Sequence, residues 1–226
     1  MSSPPPPLVL VAHGSKDPRF GAVVYTVAAR LRDIARPVDV RAAYLEHGPP
    51  FVADVTSPGA VAVPLLLSAG YHVRVDLPMQ APGLRVTPAV GPDPRLASVL
   101  AQRLREAGYA GGDVTLAAAG SADPRSRTDV ELAAEQLAAV LGERVRPAYV
   151  SAGEPRLSDL RPAAVACYLL APGTFADAVA GCGAQVVAEP IGAHPVLAEI
   201  AFDRYRGLAT TASSGGGQPP GRTAPA

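Results

Sequence analysis

Apolar residues along the chain fall into two alternating patterns, short unbroken runs and longer amphipathic stretches. Leu8 to Ala12 is an unbroken run of the kind that a parallel strand makes when both of its faces are covered. Phe20 to Ile34 then carries apolar residues at 20, 23, 24, 27, 28, 31 and 34, the spacing of an amphipathic helix. The same reading predicts strands at Val38 to Leu45, Ala60 to Leu67 and Leu84 to Thr87. It predicts a short helix over 73–80 and a closing helix from Asp93 to Ala107. Between Gly48 and Pro58 a proline-rich connection has room for about one or two helical turns.

Gly108 to Gly112 suits a linker, and the pattern restarts after it. Strands are predicted at Val114 to Ala118, Val145 to Val150, Ala163 to Leu170 and Gln185 to Ala188. Helices are predicted at Arg127 to Leu141, Thr174 to Ala180 and Pro195 to Leu208. The expectation is two similar parallel-sheet α/β domains, 8–110 and 111–208. Residues 1–7 and 209–226 lack the bulky apolar side chains that would offset their ordering entropy and are expected to be disordered. At 226 residues the chain is long enough for two such domains, each with a core of its own.

Chemistry enters where the strands stop. Leu8 to Ala12 ends at His13-Gly14-Ser15, and in open α/β sheets ligands bind at the carboxyl ends of the strands. Val38 to Leu45 ends at Glu46, and Ala60 to Leu67 leads to His72 just past Gly70. The restart repeats the first framework: Gly-Ser-x-Asp-Pro-Arg occurs at 14–19 and again at 120–125. Aligning the halves puts Ala119 on His13, Ser151 on Glu46 and Phe175 on His72, so the fold does not need these three side chains. Two imidazoles and a carboxylate from three neighbouring strand ends suit a divalent first-row ion such as cobalt, nickel, iron or zinc. Three protein ligands leave positions open for substrate.

Other features exclude more than they assign. Twenty basic residues balance twenty acidic ones, which argues against a nucleic-acid or membrane-surface partner. No apolar run approaches the roughly 18 residues of a membrane span, and the amino terminus lacks the pattern of a secretory signal. The expected location is cytoplasmic, with Cys167 and Cys182 as free thiols at no metal or redox spacing. His47 belongs to no motif and is expected to be exposed; His194, before Pro195, is expected to cap or pack the last helix. Ser15 has a twin in Ser121, so turn or capping duty accounts for both.

His-Gly-Ser-x-Asp-Pro-Arg at 13–19 and Pro-Leu-x-Leu-x-Ala-Gly-x-His-x-x-x-Asp-Leu-Pro at 64–78 resemble the class II tetrapyrrole chelatases of the two-domain, sirohydrochlorin type. The resemblance spans roughly 8–208 and is strongest in the first half. It implies two α/β domains with a cleft between them, and insertion of cobalt or ferrous iron, with nickel a further candidate, into sirohydrochlorin. It implies that His13, Glu46 and His72 bind the metal and carry the catalysis. Ser15, Lys16, Arg19, Gly70 and Arg74 would lie against the carboxylate-rich substrate. No permanently bound cofactor is implied, since the ion is itself a substrate. Two alternatives remain: a chelatase for another ring such as protoporphyrin, against which 5% aromatic residues and no tryptophan argue mildly, and a carrier of metal or tetrapyrrole without turnover.

Overall fold

The structure, a computed structural model, describes residues 4–68 and 76–213. The first half forms one parallel sheet from β1 (Leu8–Ala12), β2 (Val40–Tyr44), β3 (Val61–Pro64) and β4 (Arg85–Val86), in the order β2-β1-β3-β4. The second half repeats it with β5 (Val114–Gly120), β6 (Val145–Ala152), β7 (Ala164–Tyr168) and β8 (Val186–Val187), in the order β6-β5-β7-β8. In both sheets the first strand of the half is central. Its carboxyl end is therefore flanked by the ends of two neighbours.

Helices α1 (Pro18–Ile34), α4 (Pro94–Glu106) and α5 (Pro124–Leu141) begin alike. Asp17, Asp93 and Asp123 are their N-caps; each carboxylate accepts the backbone N–H of the arginine two residues on, with proline at the first helical position. The repeated Asp-Pro-Arg is thus a helix-start device. It moves the starts of α1 and α5 to Pro18 and Pro124, earlier than the hydrophobic spacing predicts, because capping residues and a first-turn proline carry no apolar periodicity. The connection after β2 holds one helical turn, α2 (Val52–Val55). Then come α3 (Leu77–Gln80), α6 (Thr174–Ala180) and α7 (Pro195–Ser213).

Both faces of each sheet are buried, which is why the strands read as unbroken apolar runs. On β1, Leu8, Leu10 and Ala12 face a core that also contains Leu116, Ala118 and Tyr168 of the second sheet. Val9 and Val11 face a smaller cluster with Val52 and Leu77. The inner core is shared because helices are exchanged: α7 packs on α1 and β3, and α4 packs on α5 and β7. The linker at 108–112 marks where the repeat restarts, while packing crosses it.

Polar contacts follow the same crossing. Tyr168 donates to the Leu67 carbonyl at 2.8 Å, and Tyr205 to the Pro6 carbonyl at 2.6 Å. Val61 N–H donates to Pro7 O at 2.8 Å. The expectation of a disordered 1–7 is therefore corrected at Pro6 and Pro7, which tertiary hydrogen bonds hold. The expectation for 209–226 is corrected at 209–213, where α7 continues; residues 214–226 lie outside the described residues.

Asp93 joins the two exchanged helices. Its carboxylate caps α4 and meets Arg95 at 2.9 Å and Arg204 of α7 at 3.1 Å, and Arg95 reaches Asp203 at 2.7 Å. Burial pushes the Asp93 carboxyl up, but the hydrogen bonds from Arg95 and the charges of Arg95 and Arg204 outweigh it and hold the group below the usual carboxylate range. Such a group stabilises the fold above its ordinary pKa, and the contribution is lost as pH falls through the folded value. Asp93→Ala is expected to cost about 2–3 kcal/mol through lost cap and lost pairing. Thermal melts at neutral pH should show a lower Tm, and acid titration of the variant a flatter decline than that of the parent.

Candidate metal centre

His13 lies one residue past β1, half-buried. The β1–β2 ladder runs on beyond the strands: Leu45 N–H donates to Ala12 O at 3.0 Å and Glu46 N–H to His13 O at 2.9 Å. This continuation brings Glu46 beside His13. It requires Gly14, which has a φ of 99° and stands so close to the Glu46 carbonyl that an added Cβ would lie 2.0 Å from its oxygen. His13 Nδ1 lies 3.3 Å from the Gly14 carbonyl oxygen. That contact favours the proton on Nδ1 and makes Nε2 the basic nitrogen for a metal or a proton.

The next residue completes a cluster. His47 Nε2 is 3.5 Å from Glu46 Oε2, and its ring centroid is 6.1 Å from that of His13. One ligand atom from each of His13, Glu46 and His47 lies within 4.8 Å of the other two. Beside them is a depression of about 140 Å³, lined by Gly14, Ser15, Phe20, Tyr44, Glu46 and His47. Burial raises the pKa of Tyr44 on its wall. His72, with Gly70 and Arg74, lies outside the described residues. Of the predicted metal-binding set, His13 and Glu46 come together here, and His47 joins them. Its signal in the sequence was Glu46-His47-Gly48 at a strand end, a position where a turn can redirect a side chain.

The other predicted contacts divide. Ser15 is exposed, and its Oγ accepts the Asp17 N–H at 3.1 Å, as Ser121 Oγ accepts from Asp123 at 3.1 Å. That is the turn duty expected of the twin serines. Lys16 is exposed at the mouth of the turn. Arg19 is committed within the protein, to Asp17 at 2.7 Å and across to Asp177 near the start of α6 at 2.9 Å. The Arg19 guanidinium lowers the pKa of Asp17. The Arg19 and Asp177 side chains are exposed, and long exposed pairs contribute little. Arg19→Ala should therefore leave the denaturation midpoint close to that of the parent in denaturant titrations.

The second half keeps the scaffold without the donors. Gly120, with φ of 91°, makes the same close approach, 2.0 Å from an added Cβ to the Ala152 carbonyl oxygen. The alignment of Ser151 with Glu46 is corrected here: an irregularity in the ladder between Ala118 and Gly120 shifts the register, so Ala152 stands opposite Gly120 as Glu46 stands opposite Gly14. Ser151 Oγ instead donates to the Ala119 carbonyl at 2.7 Å. His194 caps α7, its Nδ1 accepting Val196 N–H at 3.2 Å, and burial lowers its pKa. Cys167 and Cys182 are free, and burial pushes the Cys167 thiol up to about 12. Among the described residues no helix is long and apolar enough to cross a membrane.

The CbiX family model matches residues 7–107. No curated protein matches the chain in sequence. Among solved structures, SirB from Bacillus subtilis with Fe3+ is 21% identical at a TM-score of 0.72, over 93% of this chain and 98% of that one. The CbiX described as the terminal enzyme for biosynthesis of siroheme in denitrifying bacteria is 23% identical at 0.68, over 92% and 99%. Sirohydrochlorin chelatase SirB from Bacillus subtilis subspecies spizizenii, in complex with cobalt, is 20% identical at 0.69, over 93% and 98%. At these identities the likeness is one of fold: two similar α/β halves in one chain.

Proposed function

We propose that the protein, whose residues 7–107 match the CbiX family model and whose fold is like that of the solved SirB and CbiX chains, inserts cobalt or ferrous iron into sirohydrochlorin. The observation that carries this reading is the meeting of His13 and Glu46 at the carboxyl end of the central strand, in the half that matches the family. Their imidazole and carboxylate donors accept both ions.

The overall reaction exchanges charge evenly: a divalent ion enters the ring and two pyrrole N–H protons leave. His13 Nε2 is the group that holds the ion or receives a proton, the two duties an imidazole performs in catalysis. Glu46 lowers the cost of holding a dication away from bulk water and, half-exposed, passes a proton outward. His72 is assigned the second imidazole on its sequence motif. Lys16, Arg74 and the backbone around Gly70 would answer the substrate carboxylates. The cytoplasm, where free thiols such as Cys167 and Cys182 persist, is the proposed location.

The test is to mix substoichiometric protein with sirohydrochlorin and either ion and follow the absorbance spectrum. Many turnovers per protein molecule are expected. A change that stops at one equivalent would make the chain a carrier, and turnover with protoporphyrin alone would make it a chelatase for a different ring.

A further inference from the structure

Consecutive side chains in an extended strand point to opposite faces, so Glu46 and His47 share one only if the backbone turns between them. It does. His47 has a φ of 65° and is the one non-glycine residue with positive φ among the described residues; Gly48, at 135°, follows it. For an L-residue that conformation is uncommon, and where it occurs the surroundings must hold it. Its result is specific: the His47 ring swings back toward Glu46, to 3.5 Å, and toward His13.

We propose that His47 is a further protein ligand to the incoming metal ion, forming with His13 and Glu46 a loading site at the rim of the strand edge. This rests on reading the site as the place where a substrate ion is received. The three donor atoms lie within 4.8 Å of one another. A first-row ion with bonds of about 2.1 Å holds tetrahedral ligands about 3.4 Å apart; Glu46 and His47 already stand at 3.5 Å, and side-chain torsions would draw His13 in to close the set. Exposure is graded in a useful direction. The Glu46 and His47 side chains are 45% and 35% exposed, where a hydrated ion arrives from solvent. His13 is half-buried, where water is shed.

The probe is cobalt(II) alone, titrated into the full-length apo-protein and followed by its visible absorption. His47→Gly keeps the left-handed backbone that glycine adopts without strain and removes the imidazole. It should weaken cobalt binding at least about tenfold, as loss of a ligand or its support does. His47→Cys should add a thiolate-to-cobalt charge-transfer band absent from the parent protein, whose two cysteines provide the baseline. Unchanged affinity in His47→Gly overturns the assignment, and so does a His47→Cys variant that binds cobalt without the new band. Failure of the parent protein to metallate sirohydrochlorin, with the charge-transfer band present, would instead overturn the proposed reaction and leave the ligand in place.

Discussion

Replacing His13 with alanine should lower the rate of metal insertion into sirohydrochlorin by about 10²–10⁴-fold, the range expected when a positioned proton acceptor is removed. The loss should appear with cobalt and with ferrous iron, since one imidazole serves both. The fold should survive. The second half carries Ala119 at the matching position, followed by Gly120 with a φ of 91° against 99° for Gly14, so this turn forms with a methyl group in place of the imidazole. A variant with parental circular dichroism and Tm that retains the full rate would remove His13 from the reaction. Glu46→Gln, which keeps shape and loses charge, should lower the rate less and weaken metal binding more than it disturbs stability.

Gly14→Ala is expected to have the largest effect on the fold itself, more than about 4 kcal/mol, the range in which a single substitution is exceptional. Two penalties coincide. Alanine is strained at a φ of 99°, and its Cβ would stand 2.0 Å from the Glu46 carbonyl oxygen, a backbone atom with no side-chain torsion to relieve it. Relief requires β1 and the 45–47 turn to separate, breaking the Glu46-to-His13 backbone hydrogen bond and moving the carboxylate off the imidazole. Gly120→Ala meets the same obstacle at Ala152 and should cost a similar amount. The two differ in consequence. Protein recovered with Gly14→Ala should bind cobalt poorly, whereas Gly120→Ala, in the half without these side chains, should bind it as the parent does. Chemical denaturation with cobalt titration of the folded fraction separates these outcomes.

The hydrophobic pattern is informative here because each sheet is covered on both faces and each helix on one. Runs such as Leu8–Ala12 and spacings such as that of 20–34 therefore report burial directly. Boundaries were less legible for a local reason. Asp17-Pro18-Arg19 and Asp123-Pro124-Arg125 start helices by capping, which leaves no apolar signature. The nearness of His13 and Glu46 was legible because both sit at strand ends in adjacent strands, where topology alone brings them together. His47 was not, because one residue's backbone conformation decides whether its ring follows Glu46 or points away.

Sequence alone determined two parallel-sheet halves, their repeated frameworks and the strand ends where donors gather, since burial, capping and duplication are properties of residues and their spacing. Tertiary structure decided that α4 and α7 are exchanged to make one shared core, that Ala152 rather than Ser151 faces Gly120, and that His47 turns toward the site. Helix exchange satisfies the same apolar stripes as packing at home would. A one-residue ladder irregularity and a single backbone angle are likewise selected by contacts between segments far apart in the chain, which no local pattern records.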